Sequence, residues 1–478
     1  MNIHFIGCEG AGMRALSCIM RSAGHSVTGS DIALAGHDAA NVQNAHAVVY
    51  TNAVGEDNGE LTYARALGIP VYERAQFLGV TAARYKSAVC VCGSHGKTTA
   101  TGFCAEVFKS RNPVLHMGGA ARGGELCING GVCGGDLCAG GDGGAAKKST
   151  RGNGGEAKKP TYGNGGAKKF ARAGGNGAAQ NNGLFICESC EYRRGFLHLY
   201  PDIALVLNIE LDHTDYYKDF DDYFSAFARF AAQSKFLILN GDDPACKRLY
   251  RAGESATFGL SPDCGFYAAD IQKEPGGAYG FSLMYKGRRE FAVTLRVEGR
   301  HNIYNALAAA AAGKVFGQSA DEIKRGLAEF SGVRRRFEYL GGFNGSSVFS
   351  DYAHHPSELA ACIATAKNRA DKVIIIFEPH TYSRTASLAD GFAESLSAAD
   401  LVYILPVFAA REAPIPGVTS LNIVSAIQKS GGRAEYMPSY ADVFSALRNL
   451  RPSNAAIVFA GAGSIDNAAR EFAAQYCG

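Results

Sequence analysis

The sequence lacks the features of a membrane-bound, secreted or nucleic-acid-binding protein. It has no run of about 18 apolar residues, so we expect no transmembrane helix and no membrane partner. The 478 residues carry a net charge of only +3, which does not indicate a nucleic-acid partner. The opening residues, MNIHFIG, are too short and too polar for a secretory signal and predict a first strand. We therefore expect a cytoplasmic globular protein.

Cysteine occurs at 14 positions, but its placement does not indicate a disulfide framework. Several cysteines lie in apolar segments, where a free thiol behaves as a small hydrophobic side chain; these are Cys8, Cys18, Cys90, Cys92, Cys104 and Cys362. Cys187 and Cys190 form a C-x-x-C pair downstream of Cys127, Cys133 and Cys138, but these spacings match no common zinc site. We expect a reduced protein, and a cysteine metal site stays an open alternative.

Strand-like and helix-like patterns alternate along most of the chain, which predicts an α/β fold with parallel sheets. The segments NIHFIG, SVTGSD, AHAVVYTNAV and IPVYE predict strands of a first domain at 1–86. A central domain at 87–331 has predicted strands in GLFICES, IALVLNIE and KFLILNGDD, and a helix in VEGRHNIYNALAAAAAGKVFG. A C-terminal domain at 332–478 has predicted strands in SSVFSDYAHHP, KVIIIFEPHT, DLVYILPVF and AAIVFAGAG.

Residues 119–183 break this pattern because they are rich in glycine and contain the near-repeats GDGGAAKK, GNGGEAKK and GNGGAKK. Between positions 146 and 172 there are eight Lys or Arg residues and one acid, Glu156. Such a segment cannot bury enough apolar surface to offset its chain entropy. We predict a flexible basic insertion in the central domain, most simply a solvated loop without a function of its own.

The first glycine-rich motif, GCEGAGM, follows a predicted strand and opens a predicted helix. Gly7, Gly10 and Gly12 allow backbone amides to approach a pyrophosphate at the helix N-terminus. Asp31 follows about 20 residues later, where a carboxylate can bond a ribose or a base. This weak pattern also fits a nicotinamide-dependent dehydrogenase, or a tight turn that serves only packing.

The second motif, GSHGKTT, is a more specific signal for nucleotide binding. It is two residues shorter than the G-x-x-x-x-G-K-[ST] loop, because Val91 stands where that pattern has its first glycine. Lys97 supplies a cation for terminal phosphates, and Thr98 supplies a hydroxyl for magnesium. A dehydrogenase needs only one nucleotide loop, so two such loops favour one nucleotide substrate and one ATP.

Polar residues also follow several other predicted strands. Glu188 ends GLFICE, and His213 and Asp215 follow another strand of the same predicted sheet. Because ligands bind beyond the carboxyl ends of parallel strands, Glu188 and His213 are candidate magnesium ligands together with Thr98.

The predicted C-terminal strands are followed by two further polar clusters. Asp351, His354 and His355 end one strand, whereas His380, Tyr382 and Arg384 end the next. Arg334, Arg335 and Arg336 lie at the domain junction, where a guanidinium can reach a γ-phosphate or an anionic intermediate when the domains close.

Together these motifs resemble the Mur ligase family over nearly the whole chain except the insertion. The resemblance rests on HFIGCEGAGM, SVTGSDI, CGSHGKTT, EYRRGFLHLYPDIALVLNIELDHTDYY, GRHNIYNALAA, GVRRRFEYLG, DYAHHPSEL, EPHTYSRT and EAPIPG. The short loop matches the family form G-[ST]-x-G-K-[TS]-[TS]. The resemblance implies a three-domain Mur ligase architecture with a Rossmann-like N-terminal domain, a P-loop ATPase-like central domain and an α/β C-terminal domain.

The resemblance implies an ATP-dependent carboxylate–amine ligase of peptidoglycan synthesis, and hence of cell-wall biogenesis, cell shape and cell division. ATP phosphorylates the lactyl carboxylate of UDP-N-acetylmuramate, L-alanine attacks the acyl phosphate, and Mg2+ is the cofactor. One alternative is a ligase that returns a murein tripeptide to the same nucleotide sugar. A non-catalytic nucleotide-binding protein is a second alternative, against which the intact Lys97, Thr98, Glu188 and His213 argue. We expect a monomer or weak homodimer with small-molecule substrates only.

The resemblance also implies roles for individual residues. The UDP-sugar-binding residues are Gly7, Gly10, Ala11, Gly12, Met13, Asp31, Thr51 and Asn52. The ATP-binding residues are Gly93, Ser94, His95, Gly96, Lys97, Thr98, Thr99, His301, Asn302, Asn305, Asp351 and His355. The metal ligands are Thr98, Glu188 and His213. The catalytic residues are Lys97, His213, Arg336, His380 and Arg384, of which the last two line the amino-acid pocket. Many relatives carry an E-A-D-E-S-type stretch where this chain has CESCEYRRG, which leaves the acids around the magnesium open.

Overall fold

The computed structural model describes residues 1–32, 36–118, 181–410 and 412–478, which form two compact units. The first contains Met1–Lys86, and the second contains residues 87–118 and Gly183–Gly478. The predicted insertion, with Cys127, Cys133 and Cys138, lies outside the described residues except at its end, where a strand begins at Asn181. No helix within the described ranges is long and apolar enough to cross a membrane.

The first unit contains a parallel sheet with the strand order β2-β1-β3-β4. Its strands are β1 (Asn2–Ile6), β2 (Ser26–Ser30), β3 (Ala47–Tyr50) and β4 (Val71–Glu73). Its helices are α1 (Ala11–Ser22), α2 (Gly59–Ala66) and α3 (Arg74–Ala82), with a short 3-10 helix at Ala39–Val42. Each of the four strands lies in a segment that the sequence predicted as strand, and β1 lies inside the sheet with four of its five residues buried.

The second unit begins with a nine-stranded sheet in the described residues, in the order β13-β12-β11-β10-β9-β8-β5-β7-β6. Its strands are β5 (Tyr85–Cys92), β6 (Val114–His116), β7 (Asn181–Glu188), β8 (Ile203–Val206), β9 (Phe236–Asn240), β10 (Ser255–Gly259), β11 (Phe266–Lys273), β12 (Ala278–Tyr285) and β13 (Arg288–Glu298). The pairings β5–β8, β8–β9, β9–β10 and β6–β7 are parallel, whereas β11, β12 and β13 form antiparallel pairs that the sequence analysis did not predict.

The helices against this sheet pack closely. They are α4 (Lys97–Val107), α5 (Phe220–Ala232), α6 (Pro244–Lys247), α7 (His301–Phe316) and α8 (Ala320–Glu329), with 3-10 helices at Lys109–Arg111 and Tyr192–His198. A Cβ atom on Gly326 would lie 2.6 Å from the Val107 backbone, so α8 approaches α4 as only glycine permits. The predicted alanine-rich helix begins later than expected, because β13 continues to Glu298 and Gly299 turns the chain at φ +93°.

A second sheet of this unit has the order β14-β15-β19-β16-β17-β18 and is parallel except for the β14–β15 pair. Its strands are β14 (Glu338–Phe343), β15 (Ser346–Asp351), β16 (Lys372–Phe377), β17 (Leu401–Ile404), β18 (Ala434–Tyr436) and β19 (Ala455–Ala460). Its helices are α9 (Pro356–Ala366), α10 (Tyr382–Ser387), α11 (Ala389–Leu396), α12 (Ser420–Lys429), α13 (Tyr440–Leu450) and α14 (Ile465–Tyr476). Separate hydrophobic clusters cover its two faces.

The strand order of the nine-stranded sheet reverses at β5, which lies between β8 and β7. In open α/β sheets such a reversal leaves a crevice beyond the carboxyl ends of the strands, where ligands bind. The second glycine loop follows β5 at this point, and Glu188 ends the neighbouring β7. The fold therefore places the predicted phosphate and metal residues at one edge of one sheet.

Candidate functional site

The loop between β5 and α4 is held in a conformation that requires its glycines. Gly93 and Gly96 have φ of +141° and +82°, values that favour glycine. A Cβ atom on Gly93 would lie 3.1 Å from the Asn208 backbone nitrogen, which leaves no room for a side chain. Asn208 also accepts a hydrogen bond from the His95 backbone N–H at 2.8 Å. Because α4 begins at Lys97, its N-terminal amides face this loop, where they can bind a phosphate.

The Lys97 side chain folds back over the loop. Its Nζ donates to the carbonyl oxygens of Gly93 at 2.6 Å and Ser94 at 3.0 Å, and lies 3.0 Å from Glu191 Oε1. Burial opposes the charge on Lys97, but the Glu191 carboxylate more than offsets that cost and raises the pKa of Lys97. The cation is therefore retained where it can neutralise the terminal phosphates of a nucleotide.

Thr98, Glu188, Glu191 and His213 lie around Lys97 and supply oxygen atoms and one imidazole. Thr98 Oγ1 donates to Glu188 Oε1 at 2.9 Å, and His213 Nε2 lies 3.5 Å from Glu191 Oε1. Glu191 is fully buried, and its Oε2 has no hydrogen-bond partner in the described part of the chain. A buried carboxylate oxygen without a partner is costly, and hard oxygen donors of this kind suit Mg2+. These four residues therefore fit a magnesium ion.

Glu191 has no role in the sequence-based prediction, although the structure places it at the centre of this site. Burial by itself would raise the pKa of Glu191. The neighbouring Lys97 and His213 outweigh this effect and lower the pKa, which favours the charged carboxylate. A signal was present in the sequence. Glu191 stands only three residues after the strand-ending Glu188, in CESCE.

A cavity of about 250 Å³ opens beside the loop. Its lining residues come from the segments that form the nine-stranded sheet and from those that form the six-stranded sheet. The predicted nucleotide-binding and catalytic residues that line it are His95, Gly96, Thr99, His301, Asn302, Asn305, Arg336 and Asp351. Asn302 Nδ2 donates to the Glu298 carbonyl at 2.6 Å, and Asn305 Nδ2 donates to Asn302 Oδ1 at 2.9 Å. Asn305 Oδ1 lies 2.7 Å from the position of a Cβ on Gly96, so these amides form the wall beside the loop.

The three consecutive arginines after α8 have different surroundings. Arg334 is half exposed beside Glu338, and Arg335 donates from Nη2 to the Gly461 carbonyl at 3.0 Å. Arg336 lines the cavity, with Nη1 3.7 Å from Glu358 Oε1. The structure therefore distinguishes Arg336, the predicted γ-phosphate contact, from its two neighbours.

The side chains of Asp351 and His355 accept hydrogen bonds from backbone N–H groups in the segments before and at the start of α9. The Asp351 carboxylate accepts backbone hydrogen bonds from Phe337 and Ala353, both at 2.7 Å. Burial raises the pKa of Asp351. His355 precedes α9, and its Nδ1 accepts a hydrogen bond from the Ser357 backbone at 3.4 Å. Asp351 thus fixes the turn next to Arg336 while it lines the cavity.

A cluster of histidines and glutamates joins the phosphate loop to the start of α9. His95 Nε2 lies 3.0 Å from Glu210 Oε2, and His95 Nδ1 lies 3.3 Å from Glu358 Oε1. Burial lowers the pKa of His95, but hydrogen bonds to the two carboxylates raise it to about 9. The rings of His95 and His355 are 4.7 Å apart. The nine-stranded and six-stranded sheets are thereby connected next to the cavity.

His380 and Arg384 lie together beyond β16, as predicted from EPHTYSRT. Arg384 is buried and donates from Nη2 and Nε to Asp212 Oδ1 at 2.8 and 3.1 Å. Its Nη1 lies 3.3 Å from His380 Nδ1. Thr381 between them has φ +68°, a strained conformation for a β-branched residue and one that often marks a functional site. Asp212, like Glu191, was given no role on the basis of the sequence. It lies in the segment after β8, immediately before His213.

The first glycine loop, in Met1–Lys86, has no lysine and a different internal support. Gly7 has φ +76°, and a Cβ atom there would overlap the Thr51 side chain. The Glu9 backbone N–H donates to Asp31 Oδ2 at 3.0 Å. The Asp31 carboxylate therefore stabilises the conformation of the loop. Gly10 precedes α1 and offers no capping side chain to its first amides. Gly7 and Cys8 donate their N–H groups to the Ser30 carbonyl, so the first turn of α1 is the candidate anion-binding element.

The remaining predicted residues of this loop differ in exposure. Met13 is buried and donates its backbone N–H to the Gly10 carbonyl at 2.9 Å, so it supports the loop from within. Gly12 lies beside Arg74: a Cβ atom added to Gly12 would be 3.3 Å from Arg74 Nη1. Thr51 and Asn52 follow β3 next to Gly7.

Three family models match separate parts of the chain. "Mur ligase family, catalytic domain" matches residues 2–86, "Mur ligase middle domain" matches 149–313, and "Mur ligase, glutamate ligase domain" matches 335–463. A UDP-N-acetylmuramate–L-alanine ligase of Caldanaerobacter subterraneus subsp. tengcongensis is 34% identical over 98% of this chain and 96% of its own length. The chain belongs to the Mur ligase family. A protein of the same name from Clostridium acetobutylicum is 33% identical over 97% of this Mur ligase and 95% of its own length.

Solved structures give the same family fold. A crystal structure of a UDP-N-acetylmuramate–alanine ligase from Thermotoga maritima has a TM-score of 0.75 at 24% identity and covers 99% of both chains. A murein peptide ligase from Psychrobacter arcticus has a TM-score of 0.62 at 21% identity and covers 99% of this Mur ligase and 98% of its own chain. The predicted family and α/β Mur ligase architecture are therefore confirmed, whereas the roles of single site residues stay predictions.

Proposed function

We propose that this Mur ligase uses ATP to join L-alanine to UDP-N-acetylmuramate, the first amino-acid addition in the synthesis of the peptidoglycan stem peptide. The observation that carries the proposal is full-length similarity to curated UDP-N-acetylmuramate–L-alanine ligases, at 34% and 33% identity over 98% and 97% of this chain. The phosphate loop keeps its lysine partly buried, and the Glu191 carboxylate beside it raises the lysine pKa and favours its charged form, as a phosphate-binding role requires.

The proposed reaction has two steps. An oxygen of the lactyl carboxylate attacks the γ-phosphorus of ATP, and ADP leaves. The alanine nitrogen, after losing a proton, attacks the acyl carbon, and inorganic phosphate leaves. Lys97, whose Nζ is held at the phosphate loop, is proposed to neutralise charge on the transferring phosphoryl group, a type of interaction that typically contributes about 3–4 kcal/mol to such steps.

Thr98, Glu188, Glu191 and His213 would hold the magnesium ion of this reaction. When bound, the ion would reduce the negative charge on the phosphate groups of ATP. Lys97 neutralises one side of Glu191, while Glu191 Oε2 makes no hydrogen bond with the described residues. The proposal therefore adds Glu191 to the predicted ligands.

The cavity beside the loop is the proposed site of the nucleoside part of ATP. Asn302 and Asn305 bond to each other and face the cavity wall, and His301 lies at the start of α7. Arg336 reaches the same cavity from the segment before β14. A guanidinium at this place stabilises negative charge on a phosphate or on a tetrahedral intermediate.

Arg384 and His380 are the proposed binding residues for the carboxylate of L-alanine. Asp212 engages Arg384 through Nε and Nη2, which fixes the plane of the guanidinium. A guanidinium held in one orientation loses less side-chain entropy when it binds a carboxylate. Asp212 is thus proposed to position Arg384 rather than to contact the substrate.

The first glycine loop is the proposed site of the UDP diphosphate, supported by its position at the start of α1 and by the family match at residues 2–86. The domain boundaries at 86 and 331 remain part of this proposal. Because its proposed substrates are cytoplasmic metabolites, we also propose a cytoplasmic location. We further propose a monomer or weak homodimer, which sedimentation velocity would test.

Return of a murein tripeptide to the same sugar is the alternative that the sequence motifs leave open. The deciding experiment measures phosphate release from ATP and UDP-N-acetylmuramate in Mg2+, with single amino acids and the tripeptide as acceptors. We expect L-alanine to be the best acceptor. Preference for the tripeptide would overturn the choice of acceptor. Discrimination against glycine is expected to be modest, because one methyl group is worth about 1–3 kcal/mol in an apolar pocket.

A further inference from the structure

We propose that His95, Glu210 and His355 form a binding site for a zinc-type divalent ion, separate from the magnesium residues around Lys97. One ligand atom of each residue lies within 4.8 Å of the others, and the structure holds no ion there. Two imidazoles and one carboxylate with room for a further ligand are a typical donor set for zinc. Imidazole ligands favour zinc, copper or nickel over magnesium, which prefers oxygen.

An ion at the triad would replace the proton that the two carboxylates hold on His95, and the donor atoms lie close enough to share it. His95 Nε2 and Glu210 Oε2 are 3.0 Å apart, close to the roughly 3.3 Å between neighbouring ligands of a tetrahedral zinc with bonds of about 2.0 Å. His355 Nδ1 lies 3.9 Å from Glu210 Oε1. Glu210 therefore faces both imidazoles.

The surroundings of the two imidazoles support metal binding. His95 Nδ1 lies 3.3 Å from Glu358 Oε1, so the ring nitrogen opposite the proposed ion faces a carboxylate, as is usual for metal-bound histidine. His355 is 3% exposed, and its Nε2 has no hydrogen-bond partner among the described residues. Its ring is therefore already desolvated, and Nε2 is the nitrogen it offers to an ion, because Nδ1 accepts the Ser357 backbone N–H.

The site has an entry route and joins separate elements. The Glu210 side chain is 45% exposed, which gives an ion access from solvent. His95 comes from the phosphate loop, Glu210 from the segment after β8, and His355 from the residue before α9. A bound ion would therefore tie the nine-stranded sheet to the six-stranded sheet beside the cavity. On the proposed function, this restraint would inhibit turnover, whereas metal binding itself does not depend on that function.

The test titrates the full-length protein with Co2+ in excess Mg2+ and without nucleotide, and follows the visible absorption of cobalt. We expect one cobalt that Zn2+ displaces, with d–d bands and no thiolate-to-cobalt charge transfer. Glu210→Gln and His355→Gln should weaken cobalt binding at least tenfold, since each removes one of three ligands. The matched control is His354→Gln, whose ring bonds to the Tyr352 carbonyl at 2.9 Å, and it should stay within about threefold.

A second readout compares phosphate release with and without Zn2+ in each variant, so that differences in basal activity cancel. Zinc should inhibit the wild-type protein and the His354→Gln variant more strongly than Glu210→Gln. Thiolate charge transfer, absence of displaceable cobalt, or equal weakening in all three variants would overturn the site. Because Glu210 is half exposed, its variant is the one least prone to misfold. Failure of the proposed ligase reaction would leave the cobalt titration unaffected, so the two failures are distinguishable.

Discussion

The two glycine-rich loops share one local design, a strand followed by a glycine turn and a helix, but their surroundings differ. The loop after β1 has Gly7 at φ +76°, is held by Asp31 and leads into the N-terminus of α1. The loop after β5 carries Lys97, which lies 3.0 Å from the buried Glu191. Amides alone suffice to bind a phosphate that stays intact. Charged groups held in fixed places are needed where a phosphoryl group is transferred.

This comparison predicts that changes in the second loop alter turnover, whereas changes in the first alter binding of the sugar nucleotide. The largest effect is expected for Lys97→Ala. Removal of this cation should reduce kcat by about 10²–10³-fold, equivalent to about 3–4 kcal/mol, while calorimetry shows unchanged affinity for UDP-N-acetylmuramate. Lys235→Ala is the matched control, because Lys235 is 80% exposed and pairs only at the surface with Asp202. Loss of sugar-nucleotide binding in Lys97→Ala would remove the distinction between the loops.

Gly7→Ala should give the next largest effect, this time in the first unit. The new Cβ would overlap the Thr51 side chain and occupy a left-handed conformation, which together cost about 2–3 kcal/mol. We expect weaker binding of UDP-N-acetylmuramate and a lower melting temperature, measured by calorimetry. Gly24→Ala is the control, since Gly24 has φ +81° but no atom within 4 Å of an added Cβ. Equal effects of both substitutions would mean that backbone strain, and not the contact with Thr51, controls the loop.

Glu191→Gln preserves shape but removes the charge beside Lys97. We expect the Mg2+ concentration for half-maximal activity to rise about 10- to 100-fold, as for groups that support a metal site. The measurement is phosphate release as a function of free Mg2+. Glu329→Gln, whose side chain is 43% exposed, is the control. An unchanged magnesium requirement would place Glu191 outside the metal site.

Asp31→Ala is expected to have the smallest effect of the series. It removes the acceptor of the Glu9 N–H bond at 3.0 Å, which is worth about 1 kcal/mol in sugar-nucleotide binding or in stability. Asp31→Asn keeps an acceptor oxygen and should recover most of that loss in the same calorimetric titration. A large loss in Asp31→Asn would show instead that the carboxylate charge contacts the ligand.

Local signals in the sequence were sufficient for both loops and for most parallel strands. Apolar runs such as KVIIIF and AAIVFA became β16 and β19 because buried parallel strands need apolar residues on both faces. The antiparallel strands β11–β13 were missed, although turns at Gly276–Gly277 and at Lys286–Gly287 have positive φ and mark hairpins. In β13 exposed and buried residues alternate, so its apolar signal was weaker than that of the fully buried parallel strands.

Contacts between distant residues could not be predicted from spacing. Asp212 and Arg384 are 172 residues apart, and their pairing depends on how the two sheets of the second unit meet. The contact of His95 with Glu358 has the same origin. Glu191 is the exception, since its position three residues after Glu188 was a local signal. The sequence thus identified candidate ligand-binding residues within a local motif more readily than the distant residues that hold those side chains in place.

Transfer of a phosphoryl group from ATP to a carboxylate at the second loop is the central step of the proposed function. The direct measurement uses UDP-N-acetylmuramate labelled with 18O in its lactyl carboxylate, together with ATP, Mg2+ and L-alanine. Mass spectrometry of the released phosphate should show one 18O atom per phosphate, because the attacking carboxylate oxygen leaves with phosphorus. Unlabelled phosphate, formed while the amide product accumulates, would contradict carboxylate activation at Lys97.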